Sequence, residues 1–203
     1  MNQLGVRVQP VSSVGDDFLG SELLRRVRSW GLSEAGISVQ PGLRTGAVVA
    51  TLSEGGSASY DILEPAAWDR IESPPFSIKG PELIVFGTLA QRSEWNRRCL
   101  RDLFQRYPGA RKIYDVNLRP PYDRAEWVRE LMALADVVKL NDEELARLSP
   151  AAAGSCLEKQ TAALSRQIES KVICVTAGAR GAGLWQEGVW HWSEGEKWKL
   201  VTR

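Results

Sequence analysis

Apolar positions fall into blocks whose spacing changes along the chain. The run Val6–Val11 alternates apolar and polar and predicts a short strand. Leu19, Leu23, Val27 and Trp30 then recur every three or four residues. They predict one face of a helix from about Asp17 to Trp30, capped by Asp16 and stopped by Gly31. Thr45–Leu52 and Ser57–Leu63 are β-prone runs on either side of Glu54-Gly55-Gly56 and read as a hairpin. Four short apolar runs follow: Leu83–Phe86, Lys112–Val116, Asp136–Leu140 and Val172–Val175. Between them lie helical stripes at Trp95/Cys99/Leu103, at Trp127/Leu131/Leu134, where Asp123 and Glu126 offer a capping box, and at Leu157/Thr161/Leu164/Ile168. Apolar strands alternating with helices predict an α/β fold, a doubly wound, mostly parallel sheet with helices over both faces. Gly183–Gln186 and Val189–Ser193 around Glu187-Gly188 predict a closing hairpin at a sheet edge. The Ser149–Ser155 stretch reads as a loop within one domain spanning 1–203.

Composition narrows the function. A length of 203 residues, 43% hydrophobic and 25% charged, suits a globular domain. The net charge of +1 gives no electrostatic case for nucleic acid or an anionic membrane as partner. No run approaches the roughly 18 apolar residues of a membrane span, and the N-terminus lacks a signal-peptide pattern. Cys99, Cys156 and Cys174 show no metal-ligand spacing and fit a reducing cytoplasm. A single histidine, His191, argues against a His-based triad, and its setting in Trp190-His191-Trp192 reads as a strand position.

In an open parallel sheet, ligands bind beyond the carboxyl ends of the strands. Each predicted strand here ends in Gly or polar residues: Gly87, Thr88 and Gln91; Asp115, Asn117 and Arg119; Lys139, Asn141 and Glu144; Thr176, Gly178 and Gly181. The Thr176–Gly181 turn is either a phosphate- or ribose-approaching loop or a plain turn. Asn141 and Glu144 form either a helix cap alone or a cap that also orients metal-bound water. Asp115-Val116-Asn117-Leu118-Arg119 alternates, so an extended chain would put its polar groups on one face. Arg119 there serves either an anion or an internal Asp–Arg pair.

These segments, in this order, resemble the ribokinase-like (pfkB-type) carbohydrate kinases, notably fructokinases and 2-keto-3-deoxygluconate kinases. The resemblance rests on Gly15-Asp16-Asp17-Phe18-Leu19-Gly20, Phe86-Gly87-Thr88-Leu89, Asp115–Arg119, the Asp136–Glu144 pattern ending in Asn-x-x-Glu, and Thr176-Ala177-Gly178-Ala179-Arg180-Gly181. It implies a ribokinase-like fold with a β lid inserted at residues 43–64. It implies ATP with magnesium as cofactors: Asn141, Thr176, Gly178 and Gly181 at the nucleotide, Glu144 reaching the metal through water. Gly87, Thr88, Gln91, Asp115, Asn117, Arg119, Lys139 and the lid's Tyr60 would face a small sugar or its incoming phosphate.

The resemblance is incomplete at both ends. The family's early Gly-Gly-x-x-x-Asn segment would precede Met1, and its Gly-Ala-Gly-Asp signature would follow Lys199-Leu200-Val201. Gly181-Ala182-Gly183 is followed by Leu184 and does not supply that signature. The expectation is therefore a truncated sugar kinase, inactive alone for want of its general-base Asp, with free lid and sheet edges open to self-association. The alternatives are a non-catalytic nucleotide- or sugar-binding remnant of the same fold, or an unrelated doubly wound protein with another ligand.

Overall fold

The structure is a computed structural model that describes residues 4–52, 58–75, 80–168, 170 and 172–196. The chain divides into two compact units, Met1–Gly80 with Ala90–Pro108 and Pro81–Leu89 with Gly109–Arg203.

In the first unit, strand β1 (Ser12–Gly15) pairs in parallel with β2 (Ile37–Gln40), with helix α1 (Phe18–Ser29) between them. The strand expected at Val6–Val11 lies instead at Ser12–Gly15, and β2 had no alternating signal to announce it. Asp17, not Asp16, caps α1, accepting from the Gly20 N–H at 2.8 Å. Gly31, at φ 69°, follows the helix as expected. The stripe expected to face a core is open to solvent: Leu19 is 51% exposed, Leu23 42% and Trp30 59%, while Gly20 is the buried position of this helix. Strands β3 (Val48–Leu52) and β4 (Ala58–Ile62) form the expected antiparallel hairpin. Its Glu54-Gly55-Gly56 tip and the Tyr60 side chain lie outside the described parts. Helix α2 (Glu94–Arg106) buries Asn96, Cys99, Leu100 and Phe104 rather than the Trp95/Cys99/Leu103 stripe. Its buried face is turned by one residue because Asn96 bonds three backbone groups, accepting from Ile71 N and donating to Trp68 O and Ala90 O.

The second unit is built on a six-stranded sheet in the order β10-β9-β8-β7-β6-β5. Strands β5 (Leu83–Gly87), β6 (Arg111–Asp115), β7 (Val137–Asn141) and β8 (Val172–Thr176) run parallel. Strands β9 (Gly181–Gln186) and β10 (Val189–Glu194) close the edge as an antiparallel hairpin, with positive φ at Glu187 and Gly188. Helices α3 (Ala125–Ala133), α4 (Asp142–Leu148) and α5 (Leu157–Ser165) belong to this unit. α3 buries Val128, Leu131 and Met132, again one position from the expected stripe, and its N-cap Arg124 makes no capping bond. Asp123, expected to cap it, instead pairs with Arg147 at 2.6 Å. One sheet face is closed: Tyr114, Val138, Leu140, Ile173 and Val175 are fully buried. The opposite face stays partly open, with Leu83 45% and Val85 48% exposed, where the sequence pattern predicts helices over both faces.

Candidate functional site

Strand parity selects the side chains that can work together. In the second unit, Gly87 pairs with Asp115, Asp115 with Lys139, Lys139 with Cys174, and Asn141 with Thr176. Side chains alternate across a strand, so this row lies on the half-exposed sheet face while Phe86, Tyr114, Val138 and Ile173 occupy the buried one. Of the strand-end residues named from the sequence, Gly87, Asp115, Lys139, Asn141 and Thr176 are thus brought onto one face at the carboxyl edge, where open α/β sheets bind ligands.

Asn141 and Thr176 stand directly opposite each other at the ends of β7 and β8. The Thr176 hydroxyl lies 3.5 Å from the Leu140 carbonyl. Beyond Thr176 the chain folds into a short 3-10 turn at Gly178–Arg180, tied by Arg180 N to Ala177 O at 3.1 Å and Ala177 N to Gly181 O at 2.9 Å. Gly178 has φ 56° and nothing within 4 Å of where a Cβ would stand, so a ligand can approach its backbone. Gly181 has φ 126°, and a Cβ there would meet the Ser193 carbonyl at 2.1 Å, so this position accepts only glycine. The Arg180 guanidinium pairs with Asp142 across the turn.

Asn141 and Glu144 form the capping box at the start of α4. Asn141 Oδ1 accepts from Glu144 N at 2.8 Å, and Glu144 Oε2 accepts from Asn141 N at 2.9 Å. Glu144 also does something no local motif signals: Oε1 accepts from Leu118 N at 2.7 Å, 26 residues away. The buried carboxylate therefore ties the loop after β6 to the end of β7. That loop is not an extended ladder. β6 ends at Asp115, and Asn117 turns into the left-handed region at φ 41°. Asp115 pairs with Lys139 at 2.9 Å rather than with Arg119, whose guanidinium donates to the Leu118 carbonyl at 2.8 Å. Thr88 is buried, hydrogen-bonded to the Tyr114 hydroxyl at 2.6 Å and to the Val116 carbonyl, so its hydroxyl holds the β5 and β6 ends together. Burial pushes the Tyr114 phenol far up from its ordinary range, so it stays protonated. Burial also raises the Cys174 thiol, with Lys139 pulling it part-way back.

Gln91 belongs to the first unit. It is buried, and its Oε1 has no protein hydrogen-bond partner. A buried acceptor without a partner is a position for a donor from a ligand or water. The same unit holds a network that sequence reasoning missed. Arg92, 5% exposed at its side chain, bonds Asp69 at 2.7 and 2.8 Å, pairs with Glu64 at 3.0 Å and lies 4.0 Å over the Trp68 ring. Asp17 accepts from Thr45 N and Thr45 Oγ1, both at 2.7 Å, and Thr45 Oγ1 accepts from Gly15 N. These bonds hold the Asp17 carboxyl below the usual carboxylate range. The partners of both networks are 23 to 30 residues apart, too far for any periodicity to show.

The description pfkB family carbohydrate kinase matches residues 1–201. The chain belongs to that family. Fructokinase-2 of Solanum habrochaites is 24% identical over 192 residues, covering 89% of this chain and 58% of that protein. The chain spans a little more than half the length of the curated relatives it matches. Among solved structures, Vibrio cholerae O395 fructokinase with fructose, ADP and a calcium ion bound aligns with a TM-score of 0.81. It shares 22% identity, over 97% of this chain and 66% of that one. Xylella fastidiosa fructokinase with bound ATP aligns with a TM-score of 0.80 at 21% identity, over 93% and 63%. The ribokinase-like fold expected from the motifs is thus the fold of this chain. Among the described residues, no three His, Cys, Asp or Glu side chains group as a metal cage, and no helix is long and apolar enough to cross a membrane.

Proposed function

We propose that this chain belongs to a cytoplasmic sugar kinase that moves the terminal phosphate of ATP to a sugar hydroxyl, with nucleotide and sugar contacts within one ribokinase-like domain spanning 1–203. The observation that supports this best is the juxtaposition of Asn141 with Thr176 at the carboxyl ends of adjacent parallel strands, next to the open backbone of Gly178. In this reading, Asn141, Thr176, Gly178 and Gly181 hold the nucleotide. Fructokinases with ATP, or with fructose and ADP, share the fold, which makes a phosphorylatable sugar the favoured substrate class.

Magnesium fits as an ion carried by the nucleotide phosphates, since Mg²⁺ keeps several waters and needs only one or two carboxylates. Glu144 is the carboxylate to reach it through water. Its two backbone bonds leave lone pairs available. The ion would supply charge neutralisation on the phosphates. The protein's own part is to position the phosphates with backbone N–H groups and the Asn141 amide. On the sugar side we assign Gly87, Asp115, Asn117, Arg119 and Lys139. Thr88 contributes by fixing the strand ends, since its hydroxyl is already engaged. The lid is residues 43–64. Its hairpin has Val48 and Val49 about half exposed, and we assign self-association to this lid, because unpaired strand edges recruit other chains.

Gly181-Ala182-Gly183 runs into Leu184 inside β9, so the described residues hold no Gly-Ala-Gly-Asp base. These 203 residues should therefore bind ATP without useful phosphoryl transfer. A positioned base alone is worth typically about 10²–10⁴-fold. The test is calorimetric titration of ATP-magnesium, paired with a coupled ATP-consumption assay using fructose, ribose and 2-keto-3-deoxygluconate. Thr176→Val should weaken ATP binding roughly threefold to tenfold, the worth of one hydrogen bond. Sugar-dependent turnover of about 1 s⁻¹ or more, the low end for kinases, would show that the base lies among these residues. Absence of ATP binding would overturn the nucleotide assignment.

A further inference from the structure

A cavity of about 300 Å³ lies in the unit of the six-stranded sheet, walled by the loop after β6, the first two turns of α3 and the last turn of α4. None of Asn141, Glu144, Thr176, Gly178 and Gly181 lines it, and Leu118 in its wall donates to Glu144 from the far side of the cap. Its charged lining is one-sided. Arg124, Arg129 and Arg147 face a single carboxylate, Asp123, leaving two positive charges in excess.

Two of these cations are fixed in place. Asp123, whose side chain is 6% exposed, holds Arg147 through Nη1 at 2.6 Å, leaving its other donors available. The Arg124 guanidinium lies 4.9 Å over the Trp127 ring, an arrangement that orients it without consuming its N–H groups. Arg129 has no ion pair among the described residues. The uncapped start of α3, where Ala125 lines the wall, adds positive end-charge from its first N–H groups. Leu118 and Leu148 supply apolar wall. Guanidinium forks match phosphate and carboxylate geometry. The volume is at the small end of the range for metabolite pockets, roughly 300–1,000 Å³.

We propose that this cavity is a binding site for a small phosphate monoester, held as the dianion whose charge the two excess cations balance. Nothing in the proposed phosphoryl transfer requires it, and it stands independently of that reading.

The test is calorimetric titration of the 203-residue protein with glycerol 1-phosphate at low ionic strength, and with glycerol as the uncharged control. The site predicts a Kd below 1 mM for the phosphate and no heat for glycerol, with saturating ATP leaving the titration unchanged. Arg124→Gln with Arg129→Gln removes the two exposed cations that have no acidic partner, so the fold should hold, checked by an unchanged circular-dichroism melt. This double variant should bind at least tenfold more weakly, whereas Arg166→Gln, an exposed arginine on α5's far end, should bind like wild type. Absence of binding by the wild type, equal weakening in Arg166→Gln, or displacement by ATP would each overturn the proposal. The last of these would place the phosphate in the nucleotide site instead.

Discussion

The six-stranded sheet and the small sheets of the other unit are stabilised by different means. In the large sheet, neighbouring parallel strands stack Val138, Leu140, Ile173 and Val175 at zero exposure, and removal of apolar area from water is the main stabilising term. In the other unit, β1–β2 and β3–β4 are two-stranded, and Val39, Val48 and Val49 remain about half exposed, as does much of the α1 stripe. That unit buries a smaller apolar set, Val14, Ala66, Ala67, Cys99, Leu100 and Phe104, and adds polar ties: the Arg92 network, the Asp17–Thr45–Gly15 chain of bonds, and Gln40 donating to Arg70 O at 3.0 Å and Glu72 at 3.0 Å. Apolar burial is tolerant of small shifts, whereas hydrogen-bond networks depend on each partner. Core truncations should therefore hurt most in one unit and polar substitutions most in the other.

The largest contrast comes from matched apolar truncations. Ile173→Ala in the large sheet should cost about 2–5 kcal/mol, while Leu23→Ala on the exposed α1 stripe should stay within about 0.5 kcal/mol. Urea unfolding of both variants checks it. Similar losses would mean that the α1 stripe is covered in solution.

Next in size is Arg92→Met, which keeps apolar bulk but leaves Asp69 without its cation, and should cost about 1–3 kcal/mol. Asp69→Asn in the Arg92→Met background should cost little more, because the two residues act as one unit. Additive losses measured by urea unfolding would remove the network from the comparison.

A smaller effect is tied to pH. The Asp17 carboxyl titrates lower in the folded chain than in the unfolded one because Thr45 and Gly20 donate to it. Its contribution is therefore complete above the ordinary carboxylate range and is lost as pH falls through the lowered folded value. Thr45→Val should lower the unfolding midpoint at neutral pH, and the gap to wild type should narrow on acidification. A gap that stays constant down to acid pH would show that Asp17 and Thr45 are not coupled.

The same division explains what was legible in the sequence. The four parallel strands and the closing hairpin were readable because burial on a regular lattice leaves a periodic trace, and the strand-end residues followed from them. The helix faces were misread by one position at Trp95 and Trp127. A large aromatic attracts the stripe assignment, but Asn96 and Val128 are the residues facing inward. β2 was missed because Ile37-Ser38-Val39-Gln40 is too short to show a period and its Gln40 and Ser38 point into a polar network. Glu144 illustrates the limit well. Its bond to Asn141 was visible as a capping box, but its bond to Leu118 spans 26 residues and exists only once β6 and β7 are side by side.

The most direct test of the central assignment is the amide spectrum of the ¹⁵N-labelled chain titrated with ATP-magnesium. The account predicts shifts concentrated at the β7 and β8 ends, in Asn141, Thr176, Gly178 and Gly181, with the α1 stripe unmoved. Shifts centred elsewhere, or none at millimolar ATP, would contradict it.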